Sequence, residues 1–189
     1  MRIITKDEFG LVKEELAEKI ESGEVFIYPT DTIYGIGCDA TNETSVLKLR
    51  NIKNQHDRPL SVIAPSVEWV KQNCIVTDEI EEWLKKLPGP YTLVLKLKNP
   101  KAISISVNDT GSVGVRIPNH YISRFVSFLG FPIITTSANI SGNMFMTSIE
   151  DLDNSIKSKV DFFIDDGEIR GKPSTIIFLD KEKIEIRKR

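Results

Sequence analysis

Apolar positions along the chain follow two different spacings, and each spacing predicts an element. Phe9, Val12, Leu16 and Ile20 recur at helical intervals behind Thr5-Lys-Asp-Glu8, which reads as a capping box, and Gly23 closes that helix. "EVFIYP" follows as a first buried strand. A second helix is predicted to start near Thr41–Glu43, with Val46, Leu49 and Ile52 on one face. "PLSVIAP" is a short strand bracketed by prolines. Ile80, Trp83, Leu84 and Leu87 form another helical stripe, which "PGP" ends. "YTLVLKL" and "SVGVRIP" alternate as strands do, with the polar, loop-like "NPKAISISVNDTG" between them. "YISRFVSFLG" reads as a helix and "FPIITTSAN" as a buried strand that ends in hydroxyls. A helix near 148–158 and strands at "DFFID", "STIIFLD" and "KIEIRK" complete the pattern. No repeat, low-complexity segment or linker interrupts it. The alternation predicts one α/β domain over 1–189, a mixed sheet flanked by helices.

Composition narrows the class. The 189 residues are 40% hydrophobic and 28% charged, as expected for a globular protein with a sizeable core. A net charge of −2 provides no global basic field to attract nucleic acid. The N-terminal "MRIITKDEFGLVKEELAEK" is charged within two turns and has no signal-peptide core, and no apolar run approaches the ~18 residues that span a membrane. Cys38 and Cys74, far apart in sequence, suggest reduced thiols, with Cys38 assigned to packing. A cytoplasmic protein without membrane contact is expected.

Candidate chemistry gathers where strands end. "YPTDTIYGIGCDA" leaves an apolar run and at once presents Thr30, Asp31, Thr32 and Tyr34 on a backbone made flexible by Gly35 and Gly37, which predicts a small-molecule site. Asp31 and Asp39 flank this glycine turn and would either hold magnesium through water or cap the turn. In "TTSANISG", Thr135, Thr136, Ser137, Asn139 and Ser141 offer neutral donors suited to phosphate or carboxylate oxygens; capping of a following helix is the competing reading. Arg116 ends "SVGVR", and an inward guanidinium there would need an anionic partner. Lys53, His56, Asp57 and Arg58 lie between a helix and a strand, where cations also suit a helix C-terminus. Lys48-x-Arg50 reads as a solvated helix face. His56 and His120 have no second ligand at zinc spacing, and "GEIRGKPST" has too short a count for a phosphate-binding P-loop.

Six segments taken in order, "YPTDTIYGIGCDA", "NIKNQHDRPLSVI", "LPGPYTLVLK", "SVGVRIP", "PIITTSANISG" and "KPSTIIFLD", resemble the YrdC/TsaC family of threonylcarbamoyl-adenylate synthases over nearly the whole chain. The first and fifth are the most specific. The resemblance implies a twisted sheet with a concave, positively charged groove, in a member made of the synthase domain alone. It implies that L-threonine, bicarbonate or CO2, and ATP with Mg2+ give threonylcarbamoyl-AMP and pyrophosphate. That product would feed threonylcarbamoylation of adenosine 37 in tRNA through a downstream transfer complex.

By the same resemblance, Thr30, Thr32, Tyr34, Arg116 and Thr135 would contact threonine. Lys53, Arg58, Ser112, Ser137, Asn139 and Arg187 would contact the nucleotide. Lys53, Arg58, Ser137 and Asn139 would serve catalysis. Lys53 matches the lysine of a Lys-x-Arg motif and Ser137 and Asn139 match Ser-x-Asn, but Gln55 stands at the motif arginine and one residue is missing before Asp57-Arg58. Arg58 is the candidate to supply the absent charge. Two alternatives are a YciO-like relative with weak or different activity, and an RNA-binding module of the same fold, for which "KEKIEIRKR" is the local basic cluster.

Overall fold

The structure, a computed structural model, describes residues 1–140 and 142–188. Its strands are β1 (Arg2–Thr5), β2 (Phe26–Tyr28), β3 (Gly35–Gly37), β4 (Ser61–Ile63), β5 (Tyr91–Lys96), β6 (Ser112–Arg116), β7 (Ile133–Ser137), β8 (Phe162–Asp165), β9 (Thr175–Phe178) and β10 (Glu185–Arg187). Its helices are α1 (Lys6–Glu21), α2 (Glu43–Lys53), α3 (Val67–Asn73), α4 (Asp78–Leu84), α5 (Ile122–Leu129) and α6 (Asn154–Lys157). The strands form one mixed sheet in the order β1-β8-β2-β3-β7-β4-β6-β5-β9-β10.

Period-two alternation divides each inner strand between two cores. Phe26, Tyr28, Phe162 and Ile164 face Leu16 and Ile20 of α1 and Phe125 and Val126 of α5. Val25, Ile27, Ile36, Ile134 and Phe163 face the opposite way, toward Val46 and Leu49 of α2, Val70 of α3 and Leu84 of α4. With both faces covered, the strands read as apolar runs rather than as alternating ones. The two cysteines are buried and unpaired.

The capping box forms as predicted: Thr5 Oγ1 accepts from the Glu8 N–H, and Glu8 Oε2 accepts from the Thr5 N–H at 2.9 Å. Four readings need correction. Residues 2–5 are a strand; only Ile4 of its side chains is buried, so no pattern announced it. The Gly35–Gly37 segment is not a turn but strand β3, antiparallel to β2. Its glycines are needed for close approach: a Cβ on Gly37 would lie 2.2 Å from the Ile134 carbonyl oxygen, and one on Gly35 3.0 Å from the Tyr28 ring. Helix α3 precedes the predicted stripe. The helix expected near 148–158 is a 3-10 turn at Ile149–Asp151 followed by α6, whose first N–H groups Asp153 caps.

Central strand β7 has two partners. Ile133, Ile134 and Thr135 pair with β4, and Thr136 and Ser137 pair with β3. Its C-terminal end therefore opens between the β2–β3 hairpin and the β4–β6–β5 half of the sheet. Strand ends that diverge in this way leave a crevice in an open α/β sheet.

Candidate active site

That crevice holds a cavity of about 340 Å³ whose walls come from six separate stretches of chain. Thr30, Ile33 and Tyr34 follow β2, Lys53 ends α2, and Gln55 and Arg58 lie on the loop after it. Arg116 ends β6, and Thr135, Thr136, Ser137 and Asn139 belong to β7 and its exit. Small side chains make the floor: Ser61 of β4 pairs with both Thr135 and Gly114, and a Cβ on Gly114 would lie 2.4 Å from Ser61 Oγ. Thr92 and Ser174, hydrogen-bonded at 2.7 Å, complete it. Three cations but no carboxylate lie among the described lining residues.

Arg116 is buried and points inward. Its Nη2 donates to Asp31 Oδ1 at 2.6 Å and to Thr32 Oγ1 at 3.1 Å. Both bonds leave from Nη2, and Nε has no partner among the described residues, so the guanidinium keeps donors for a further acceptor. Asp31 also accepts the Asn119 N–H at 2.9 Å, which fixes the segment after β6. Asp39 accepts from Thr41 N–H and Oγ1, both at 2.7 Å, as a turn cap. The two aspartates are thus engaged separately, and no group of three or more His, Cys, Asp or Glu able to hold a metal occurs among the described residues. The wall does not fit a protein-held magnesium ion.

Behind Arg116, a directed hydroxyl chain sets the threonine-rich turn. Thr30 Oγ1 donates to the Ile33 carbonyl at 2.6 Å, so Thr32 is the donor in the 2.9 Å contact between the two hydroxyls, and Thr32 Oγ1 accepts from Arg116. Thr32 consequently stands one layer behind the cavity wall. Tyr34 is fully buried at the wall, and its hydroxyl donates to the Gly167 carbonyl at 2.6 Å and accepts the Asp166 N–H at 3.0 Å. Burial pushes its pKa up, so it stays protonated.

Lys53 is almost fully buried. Its Nζ donates to the carbonyls of Ser137 and Asn139, at 2.5 and 2.6 Å. Desolvation lowers its pKa from 10.5 to about 8. Between these two values the unfolded chain binds more protons than the folded one, so stability rises with pH across that window, and the buried cation is fully present only below it. Pyrophosphate binding to the cavity is expected to weaken as pH rises from 7 to 9. Calorimetry should show that Lys53→Arg, which keeps its charge, removes this dependence.

The remaining predicted residues are placed as follows. Thr135, Ser137, Asn139 and Arg58 line the cavity, Arg58 from an otherwise exposed position at its mouth. Ser112 is buried at the opposite end of β6 from Arg116, and exposed Arg187 pairs with Glu185 at 2.9 Å over the Phe178 ring; neither is on the wall. Ser141 lies outside the described residues. The solvated face expected for Lys48-x-Arg50 is corrected. Lys48 pairs with Asp161 at 2.7 Å, and Arg50 is buried with its guanidinium turned into the protein. Thr92 and Ser174 also line the cavity, and single polar residues on two separate segments leave no local signal in the sequence.

The Sua5/YciO/YrdC family model, described as telomere recombination, matches residues 18–189. A protein of Methanocaldococcus jannaschii named putative threonylcarbamoyl-AMP synthase is 38% identical over 184 residues, covering 96% of this chain and 86% of its own. The structure superposes on P. abyssi Sua5 complexed with L-threonine at a TM-score of 0.86, with 30% identity, over 98% of this chain and 56% of that one. The chain therefore spans little more than half of that longer protein. E. coli YciO shares the fold at a TM-score of 0.86 and 22% identity, over 94% of its length. By sequence and by fold alike, this chain belongs to the Sua5/YciO/YrdC family.

Proposed function

We propose that the chain is an L-threonylcarbamoyladenylate synthase, a nucleotidyltransferase that forms threonylcarbamoyl-AMP and pyrophosphate from L-threonine, bicarbonate or CO2, and ATP. The observation that carries this reading is the meeting of Lys53, Arg58 and Arg116 with the Ser137–Asn139 segment in one cavity, with no carboxylate among the described lining residues. Support comes from the relatives named threonylcarbamoyl-AMP synthase and from the threonine bound to P. abyssi Sua5.

The chemistry asks for positioning and charge rather than a protein nucleophile. Threonine's amine and CO2 form a carbamate; its oxygen bonds to the α-phosphorus of ATP as the bond to the bridging oxygen breaks and pyrophosphate leaves. Arg116, with donors to spare, takes the threonine carboxylate beside Thr30, Tyr34 and Thr135. Lys53 and Arg58 face the polyphosphate with Ser137 and Asn139. Magnesium would arrive on ATP as part of the substrate, consistent with the absence of a carboxylate among the described lining residues. The product would pass to tRNA modification at adenosine 37.

Incubation with ATP, bicarbonate and threonine should yield a nucleotide product that disappears when any one is omitted. ATP turnover indifferent to threonine would instead favour the YciO-like reading, which Gln55 at the motif arginine makes specific. Salt-dependent binding of tRNA without ATP would favour the RNA-binding module.

A further inference from the structure

The loop between α2 and β4, where Gln55 stands at the motif arginine, is held by one buried side chain, Arg50. Residues 55–58 contain no helix or strand, and His56, Asp57 and Arg58 are exposed. Such a segment would ordinarily be set by water and by its own turns. Here its carbonyls point inward. Arg50 Nη1 lies 3.1 Å from the Gln55 oxygen, 2.9 Å from that of His56 and 3.1 Å from that of Arg58. The rest of the guanidinium reaches the facing loop, with Nε to the Ser106 carbonyl at 2.7 Å and Nη2 to that of Val107 at 3.2 Å. The Val107 carbonyl also accepts the Leu60 N–H at 3.0 Å, so the loop is fastened where it enters β4.

We infer that Arg50 is the positioning residue that presents Arg58 and Gln55 to the cavity. Backbone oxygens turned onto one planar cation leave these two side chains on the opposite side of the loop, and both line the cavity mouth. The task requires a fork. A lysine at this position has three donors on one nitrogen, too few and too close together to serve all five carbonyls of the two facing loops. Arg50 thereby holds a loop that has no helix or strand of its own. Arg50 touches no substrate; it acts through Arg58.

The inference rests on the reading of the cavity as a nucleotide site, and its test separates the two. In the full chain, ATP binding is measured by calorimetry for wild type, Arg50→Lys, Arg58→Ala and the double variant, with hydrogen exchange of the 55–60 amides alongside. Arg50→Lys and Arg58→Ala are each expected to weaken ATP binding about tenfold, the scale of one charge-assisted contact, and the double variant no more than Arg58→Ala alone. Threonine binding should stay unchanged in Arg50→Lys, and its 55–60 amides should exchange faster while those of β7 do not. Additive losses, or Arg50→Lys binding as wild type does, would overturn the inference. Wild type that fails to bind ATP would remove the nucleotide reading; selective loosening of 55–60 would still support Arg50 as the loop's anchor, and unchanged exchange would refute it. Should Arg50→Lys not fold, Arg50→Gln takes its place, and failure of both to fold assigns the residue to the fold and overturns the proposal.

Discussion

Arg116→Ala should lower both stability and turnover, and the two losses should separate in a second variant. The Arg116–Asp31 pair is closed to solvent on both sides, with side chains 6% and 12% exposed. Removing one partner of a buried pair strands the other charge, at a cost of about 3–5 kcal/mol. In a chain of this size that is a fall in melting temperature of roughly 10 °C. Removing Asp31 as well leaves no uncompensated charge, so Arg116→Ala/Asp31→Ala should regain part of the lost stability. Turnover should not return, because no cation would then face the threonine carboxylate. Its expected loss is at least about tenfold, and up to about a thousandfold if the contact tightens in the transition state. Thermal melting and product formation measured on the three proteins decide the matter. Recovery of activity in the double variant would show Arg116 to be structural only.

Lys53→Met is expected to show the reverse balance. The substitution keeps an apolar stem in an apolar setting and removes a buried cation whose lowered pKa reports the cost of its desolvation. It also leaves the carbonyls of Ser137 and Asn139 without their donor, which costs about 1–3 kcal/mol for each that water does not reach. These effects oppose one another, so the melting temperature should move little. Turnover should fall by about 30- to 1,000-fold, since a cation that faces a developing phosphoryl charge is worth about 2–4 kcal/mol. The amine also ties the end of α2 to the exit of β7. Lys53→Arg should therefore recover charge more fully than geometry, with a better rate than Lys53→Met at every pH. Equal rates for wild type and Lys53→Met under saturating ATP would remove Lys53 from the reaction.

Much was legible in the letters because the physics behind it is local. The Thr5–Glu8 box, the apolar spacing of α1, α2 and α4, the strand runs at β2, β6 and β7, and Gly130 at φ 77 after α5 are each set by residues within a few positions of one another. The hydroxyl-rich exits of β2 and β7 were visible in the same way, since a chain leaving a buried strand must satisfy its backbone there. Other features depended on what lay across the fold. Gly35 and Gly37 look like turn residues until Tyr28 and the Ile134 carbonyl are seen to press on them. A lysine at the end of a helix is written identically whether its amine reaches water or a carbonyl 84 residues further on. The helical period places Arg50 on a face of α2 but does not say that two loops will close over it. Sequence fixes which side chains share one side of their own element. Only long-range strand pairing decides what that side meets, and so which cations are buried, which hydroxyls are already taken, and which groups stand open to a ligand.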